Sequence, residues 1–147
     1  DRIVSVGMFE HVGARHLDEF FAQLGRLLTK DGVALLHSIG NMGPPCPVNP
    51  WILKYIFPGG YLPALSETLA AIERAGLWVT DIEILRLHYA ETLKRWRARF
   101  DAAVNEGRLP AGFDEKFVSL WRYYLMYCEG GFRGGGINVA QVTLVKT

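Results

Sequence analysis

Charge of one sign is nearly lacking in excess: 16 Lys and Arg stand against 15 Asp and Glu, a formal net charge of +1. That balance excludes a nucleic-acid tail or an acidic solvating arm as the organising feature. Cysteine is scarce. Cys46 and Cys128 lie far apart, form no Cys-x-x-Cys pair and have no histidine ladder beside them, so neither a metal site nor a disulfide framework is expected and a reducing compartment is. No apolar run approaches the roughly 20 residues that span a bilayer, and no basic-then-apolar leader opens the chain. Repeats and low-complexity segments are missing, apart from the glycines between Gly130 and Gly136. What remains is 147 residues, 50% hydrophobic and 21% charged, the mixture of an ordinary water-soluble domain. A domain of this size buries roughly 70% of the surface its unfolded chain exposes and needs no staple.

The chain opens on an apolar strand, Arg2-Ile3-Val4-Ser5-Val6, with no turn before it, and reads as the middle of a domain whose other half is expected upstream of Asp1. Residues 2–8 and 33–39 are short apolar runs. Between them Leu17, Phe20, Phe21, Leu24, Leu27 and Leu28 follow helical spacing, closed by Lys30-Asp31-Gly32. Strand, helix, strand at this distance predicts a βαβ unit with parallel strands and a right-handed crossover. Gly40 to Pro50 predicts an extended connection, 51–57 a short aromatic helix, and the stretch from Leu65 to Gly76 a second periodic helix. A third strand is expected over 78–87, helices over 89–104 and 113–129, a glycine-rich connection over 130–136 and a last strand over 139–145. The sheet should leave its first strand at an edge.

In parallel α/β sheets ligands gather beyond the carboxyl ends of the strands. Glu10 and His11 follow the first strand, His37, Ser38 and Ile39 close the second, and Tyr89 stands where the third gives way to a helix. Neighbouring strands are about 4.8 Å apart, so a carboxylate and an imidazole at matching ends can converge on one small ligand. The plainer readings stand beside this one: Glu10 as a solvated loop charge, His37 as a hydrogen-bonded structural histidine, Tyr89 as packing. Trp51, Tyr55 and Phe57 suit an acyl tunnel or a plain core. The basic helix from Lys94 to Arg99 suits anionic headgroups or a solvated face. Spacing leaves these alternatives open.

The segment Asp1-Arg2-Ile3-Val4-Ser5-Val6-Gly7-Met8-Phe9-Glu10-His11-Val12-Gly13 resembles one shared by the cyclopropane-fatty-acyl-phospholipid synthases and mycolic acid cyclopropane synthases. The resemblance continues through Leu35-Leu36-His37-Ser38-Ile39-Gly40, Tyr55-Ile56-Phe57-Pro58-Gly59-Gly60, His88-Tyr89-Ala90-Glu91-Thr92-Leu93 and Phe132-Arg133, in order and over essentially the whole chain.

The resemblance implies an α/β fold: the C-terminal half of a Rossmann-like class I S-adenosylmethionine-dependent methyltransferase sheet with inserted lipid-binding helices. Residues 1–147 would be a single partial methyltransferase domain. The implied reaction adds a methylene group from S-adenosylmethionine to the cis double bond of a phospholipid acyl chain, through a carbocation deprotonated by bound bicarbonate. Glu10, His37 and Tyr89 are the implied catalytic residues, and with Ile39 they are the implied bicarbonate holders. Gly7, Phe9 and His11 would touch the cofactor, whose main contacts are expected upstream, and Trp51, Tyr55 and Phe57 would line the acyl tunnel. Expected partners are unsaturated acyl chains at a membrane surface, with no nucleic acid and room for a homodimer. The expected location is cytoplasmic and peripherally membrane-associated. A relative that leaves a methyl branch, and a cofactor-free lipid-binding remnant, are the alternatives. The family's glycine-rich cofactor loop, its acidic ribose-binding residue and its bicarbonate cysteine have no counterpart here, and Gly130–Gly136, which follows a helix and enters a strand, does not replace the loop.

Overall fold

The two apolar runs of the expected βαβ unit form β1 (Arg2–Val6) and β2 (Val33–Asn41), paired in parallel with Val4 opposite Leu35 and Val6 opposite His37. Their crossover is α1 (Leu17–Leu27), whose helical stripe buries Leu17, Phe21 and Leu24. The computed structural model describes residues 1–146. In it α2 (Pro50–Tyr55) and α3 (Leu65–Arg74) lead to β3 (Leu77–Ile84), and β4 (Ile137–Lys146) enters last. The sheet order is β1-β2-β4-β3, so β1 is an edge strand as expected. Because β4 is antiparallel to both β2 and β3, the strands β1, β2 and β3 all run the same way. Their carboxyl ends therefore share one edge of the sheet.

Strand alternation selects the core. Ala34 and Leu36 on β2 and Val142 and Leu144 on β4 are buried with Phe9, Phe21, Leu24, Ala71 and Ile72. Phe9 packs its ring 4.9 Å from that of Phe20 and 5.4 Å from that of Phe21. Each fully buried side chain of this kind contributes about 1.5–3 kcal/mol. The opposite face of β1 leaves Val4 66% and Val6 64% exposed.

The described residues divide into two compact units: 1–85 with the strand from Ile137, and Arg86–Gly136. The second unit is a helical hairpin of α4 (Arg86–Asn105) and α5 (Glu115–Gly134). Its ion pairs run in opposite order along the two helices, which makes them antiparallel: Glu91 with Arg133 at 2.6 Å, Arg97 with Glu129 at 3.4 Å, and Asp101 with Arg122 at 2.6 Å. Asp114 caps α5 by accepting from the Phe117 amide at 2.8 Å.

Most element ends fall within a few residues of the sequence expectation, and two of the differences move expected features. The third strand ends at Ile84 and α4 begins at Arg86, so Tyr89 lies inside the first turn of a helix, not at the strand end. The expected glycine connection is mostly helix: α5 runs through Gly130, Gly131 and Gly134. Each glycine weakens a helix by about 1 kcal/mol relative to alanine. Burial of the Phe132 ring against Tyr89, 4.9 Å away, and pairing of Arg133 with both Glu129 and Glu91 offset that loss. Gly135 then stops the helix with φ of 83°, a left-handed conformation that favours glycine.

Burial in this hairpin pushes the Cys128 thiol up to about 11, whereas Cys46 is exposed. A raised thiol pKa means that the reactive thiolate appears only as pH climbs towards that value, so at pH 8 about one Cys128 in a thousand is ionised. Iodoacetamide at pH 8 should therefore alkylate Cys46 well before Cys128. Peptide mass mapping over time checks the order, and equal labelling rates would contradict the burial of Cys128.

Candidate active site at the strand ends

The parallel ladder stops at a defined rung. Gly7 donates its amide to the His37 carbonyl at 3.1 Å and then, with φ of 65°, turns the chain out of the strand. The next donor facing that side of β2 is the Ile39 amide, which a continuing β1 would have satisfied. A side chain takes its place: the turn Phe9–His11 brings Glu10 back, and the Ile39 amide donates to Glu10 Oε1 at 2.7 Å. The backbone of Glu10 is held as well, since the Tyr61 amide donates to its carbonyl at 2.8 Å. Tyr61 is itself tied down by donating its hydroxyl to Glu67 at 2.8 Å. Glu67 also accepts from the Ala64 amide, at 2.9 Å, at the start of α3. Burial, followed by the bonded Glu67 carboxylate, pushes the Tyr61 hydroxyl up to about 12, so it stays a donor throughout the physiological range.

Glu10 Oε2 is left buried with no protein partner among the described residues. A buried acceptor without a donor costs about 1–3 kcal/mol, and more when charged, so this oxygen needs a donor, which a water or a proton-bearing ligand can supply. His37 lies on the same strand end, two residues before Ile39. Its Nδ1 is engaged by Gln141 Nε2 of β4 at 3.1 Å. The structure thus ties Glu10 to the Ile39 amide at the carboxyl end of β2, the strand that also carries His37. Below Ile39 a cavity of about 20 Å³, lined in part by Ser38, Thr68 and Asn138, has room for one water and not for an acyl chain.

The remaining expected site residues divide. His11 is exposed, with its ring 6.0 Å from that of Phe57. Gly7 has open space where a side chain would stand. The Phe9 side chain is 1% exposed and belongs to the core, which leaves its backbone to face the strand end. In the aromatic segment α2 fully buries none of its residues, and Tyr55 and Phe57 are 49% and 41% exposed. Trp51 and Tyr55 lie one helical turn apart with their rings tilted by 49° and centroids 6.0 Å apart. Tyr89 belongs to the helical hairpin, against Phe132 and Trp96. Tyr61 and Gln141 escaped the sequence reading, since neither sits in a motif and each acts through a partner many residues away.

Solved methyltransferases that hold S-adenosylmethionine or S-adenosylhomocysteine share this fold at 16% to 19% identity, so the fold is that of the S-adenosylmethionine-dependent methyltransferases. The mycolic acid cyclopropane synthetase family profile matches residues 1–142, and the chain belongs to that family. It is 42% identical over 146 residues, 99% of its length, to the cyclopropane-fatty-acyl-phospholipid synthase of Escherichia coli K12. It is 40% identical over 151 residues, again 99% of its length, to the tuberculostearic acid methyltransferase UfaA1 of Mycobacterium tuberculosis. The solved cyclopropane synthase MmaA2 of Mycobacterium tuberculosis superposes with a TM-score of 0.90 at 33% identity over 99% of this chain. The chain spans 37% and 35% of the first two proteins and 55% of the third. No helix of the described residues is long and apolar enough to cross a membrane.

Proposed function

We propose that this chain forms the acyl-substrate half of an enzyme that closes a cyclopropane ring on the cis double bond of a phospholipid acyl chain, using S-adenosylmethionine. The observation that carries the reading is the Glu10 carboxylate, with one oxygen tied to the Ile39 amide and the other buried and unpartnered. When bound, S-adenosylmethionine supplies an electrophilic methyl group and bicarbonate a small proton acceptor. In bond terms, the sulfonium–methyl bond breaks, the methyl joins one alkene carbon, and loss of a methyl proton lets the ring close on the other carbon.

The donor set suits bicarbonate. Glu10 Oε2 accepts from a hydroxyl, which relieves the repulsion between two potentially anionic groups. His37 offers a ring nitrogen on the same strand end. Tyr89 is assigned an aromatic face for the carbocation, worth roughly 0.5–2 kcal/mol, and a hydroxyl for the proton acceptor. Gly7, His11 and the Phe9 backbone are assigned to the cofactor, at the strand end where ligands of α/β sheets sit. The half-buried Trp51 and the exposed Tyr55 and Phe57 are assigned to the acyl chain. Action on phospholipid from the cytoplasmic side of a bilayer, with the basic residues of α4 towards anionic headgroups, completes the reading.

The test incubates the full-length protein with S-adenosylmethionine and vesicles of cis-unsaturated phospholipid, and reads the products by mass and proton NMR. A methylene gain with high-field ring protons, slowed in bicarbonate-depleted buffer and restored by added bicarbonate, is the expected result. The second reading, a methyl branch, is favoured by the likeness to the methyltransferase UfaA1. It predicts the same mass gain with a double bond retained. No gain and no cofactor binding would overturn both and leave a lipid-binding remnant.

A further inference from the structure

We propose that Gln141 is a positioning residue that sets the tautomer of His37. The inference rests on the reading above, in which His37 faces a small oxyanion. Four observations lead to it. β2 and β4 are in a register that places Gln141 directly opposite His37, so the two side chains leave the same face of neighbouring strands. The Gln141 Nε2 lies 3.1 Å from His37 Nδ1 in a part-buried setting. Glu83 of β3 and Val6 of β1 continue the same row, so no other carboxamide or hydroxyl stands beside the imidazole in that register. The His37 backbone is itself fixed, since its carbonyl receives the last rung from Gly7.

The chemistry follows from the inventory of donors. With the carboxamide turned so that Nε2 faces the ring, Gln141 donates and His37 Nδ1 is the bare, accepting nitrogen; the flipped amide would instead accept from Nδ1–H, and the tautomer of the ring separates the two. The neutral ring must then carry its proton on Nε2. That gives the site a hydrogen-bond donor that needs no positive charge, beside a carboxylate that needs a proton-bearing partner. A carboxylate at position 141 would do the reverse: it would accept from Nδ1–H and turn Nε2 into an acceptor, which repels an anion. Outer partners of this kind fix ring orientation and tautomer together. Gln141 touches no reacting atom in this scheme and acts only through His37.

The test is made on the full-length, ¹⁵N-labelled protein, by long-range proton–nitrogen correlation of the imidazoles at pH 8, with His37 assigned by its loss in His37→Gln. Wild type should show an unprotonated Nδ1 and a protonated Nε2. Gln141→Met, which keeps the length and removes the donor, should give averaged shifts of two exchanging tautomers. Gln141→Glu should move the proton to Nδ1. In the acyl-product assay both variants should lower kcat about tenfold with the KM for lipid unchanged. A wild-type Nδ1–H signal, or an unchanged pattern in Gln141→Met, overturns the proposal whatever the enzyme's activity. The expected tautomers together with product formation that ignores bicarbonate would sustain Gln141's role and reject the functional reading instead.

Discussion

Glutamine in place of Glu10 should reduce acyl-product formation by the full-length protein at least about 100-fold while its melting temperature stays close to wild type. The two oxygens of Glu10 have separate duties, and this substitution divides them. The amide oxygen of glutamine can still accept from the Ile39 amide, now 2.7 Å from Oε1, so the ladder end stays closed. The other position becomes an NH₂ group, which accepts nothing, and the buried acceptor at Oε2 is lost. Glu10→Ala removes both functions. It should be equally inactive and also less stable by about 1 kcal/mol, because a part-buried backbone donor loses its partner. Product mass spectrometry and thermal melting of the two variants side by side make the comparison. Wild-type turnover in Glu10→Gln would remove Glu10 from the chemistry. A large loss of stability in that same variant would mean that its role is structural.

Phe9→Ala should cost about 3–5 kcal/mol of stability, the largest loss expected of any substitution near the site. The ring lies within 5.4 Å of both Phe20 and Phe21 by centroid and is almost wholly buried. Its removal leaves a cavity where α1 meets the turn that carries Glu10. For a domain of this size the loss corresponds to a fall in melting temperature of roughly 10 °C or more. Because the side chain belongs to the core, Phe9→Leu should recover most of the stability and keep wild-type affinity for S-adenosylmethionine, measured by calorimetry. A strong loss of affinity in a well-folded Phe9→Leu would return the ring to the cofactor site.

Much of the architecture was legible along the chain. The stripe Leu17, Phe21, Leu24 and the flanking β-branched runs specify α1, β1 and β2, because period 3.6 and period 2 patterns are local properties. The resemblance singled out Glu10, His37 and Tyr89 by their place in the chain, though a motif cannot say which atoms meet. The helix through Gly130–Gly134 was not legible, because local propensity opposes it. Its support comes from Phe132 burial and from Glu91, which pairs with Arg133 across the hairpin.

Family and fold class were thus written in residue order, where spacing and short motifs suffice. The tertiary structure alone decided that β4 inserts antiparallel between β2 and β3, which sets Gln141 beside His37. It also decided that the Ile39 amide belongs to Glu10 and that the Phe9 ring belongs to the core. Each of these depends on strand register or on where a ladder ends. Register and ladder ends are set by contacts between residues distant in sequence, and no local pattern encodes them.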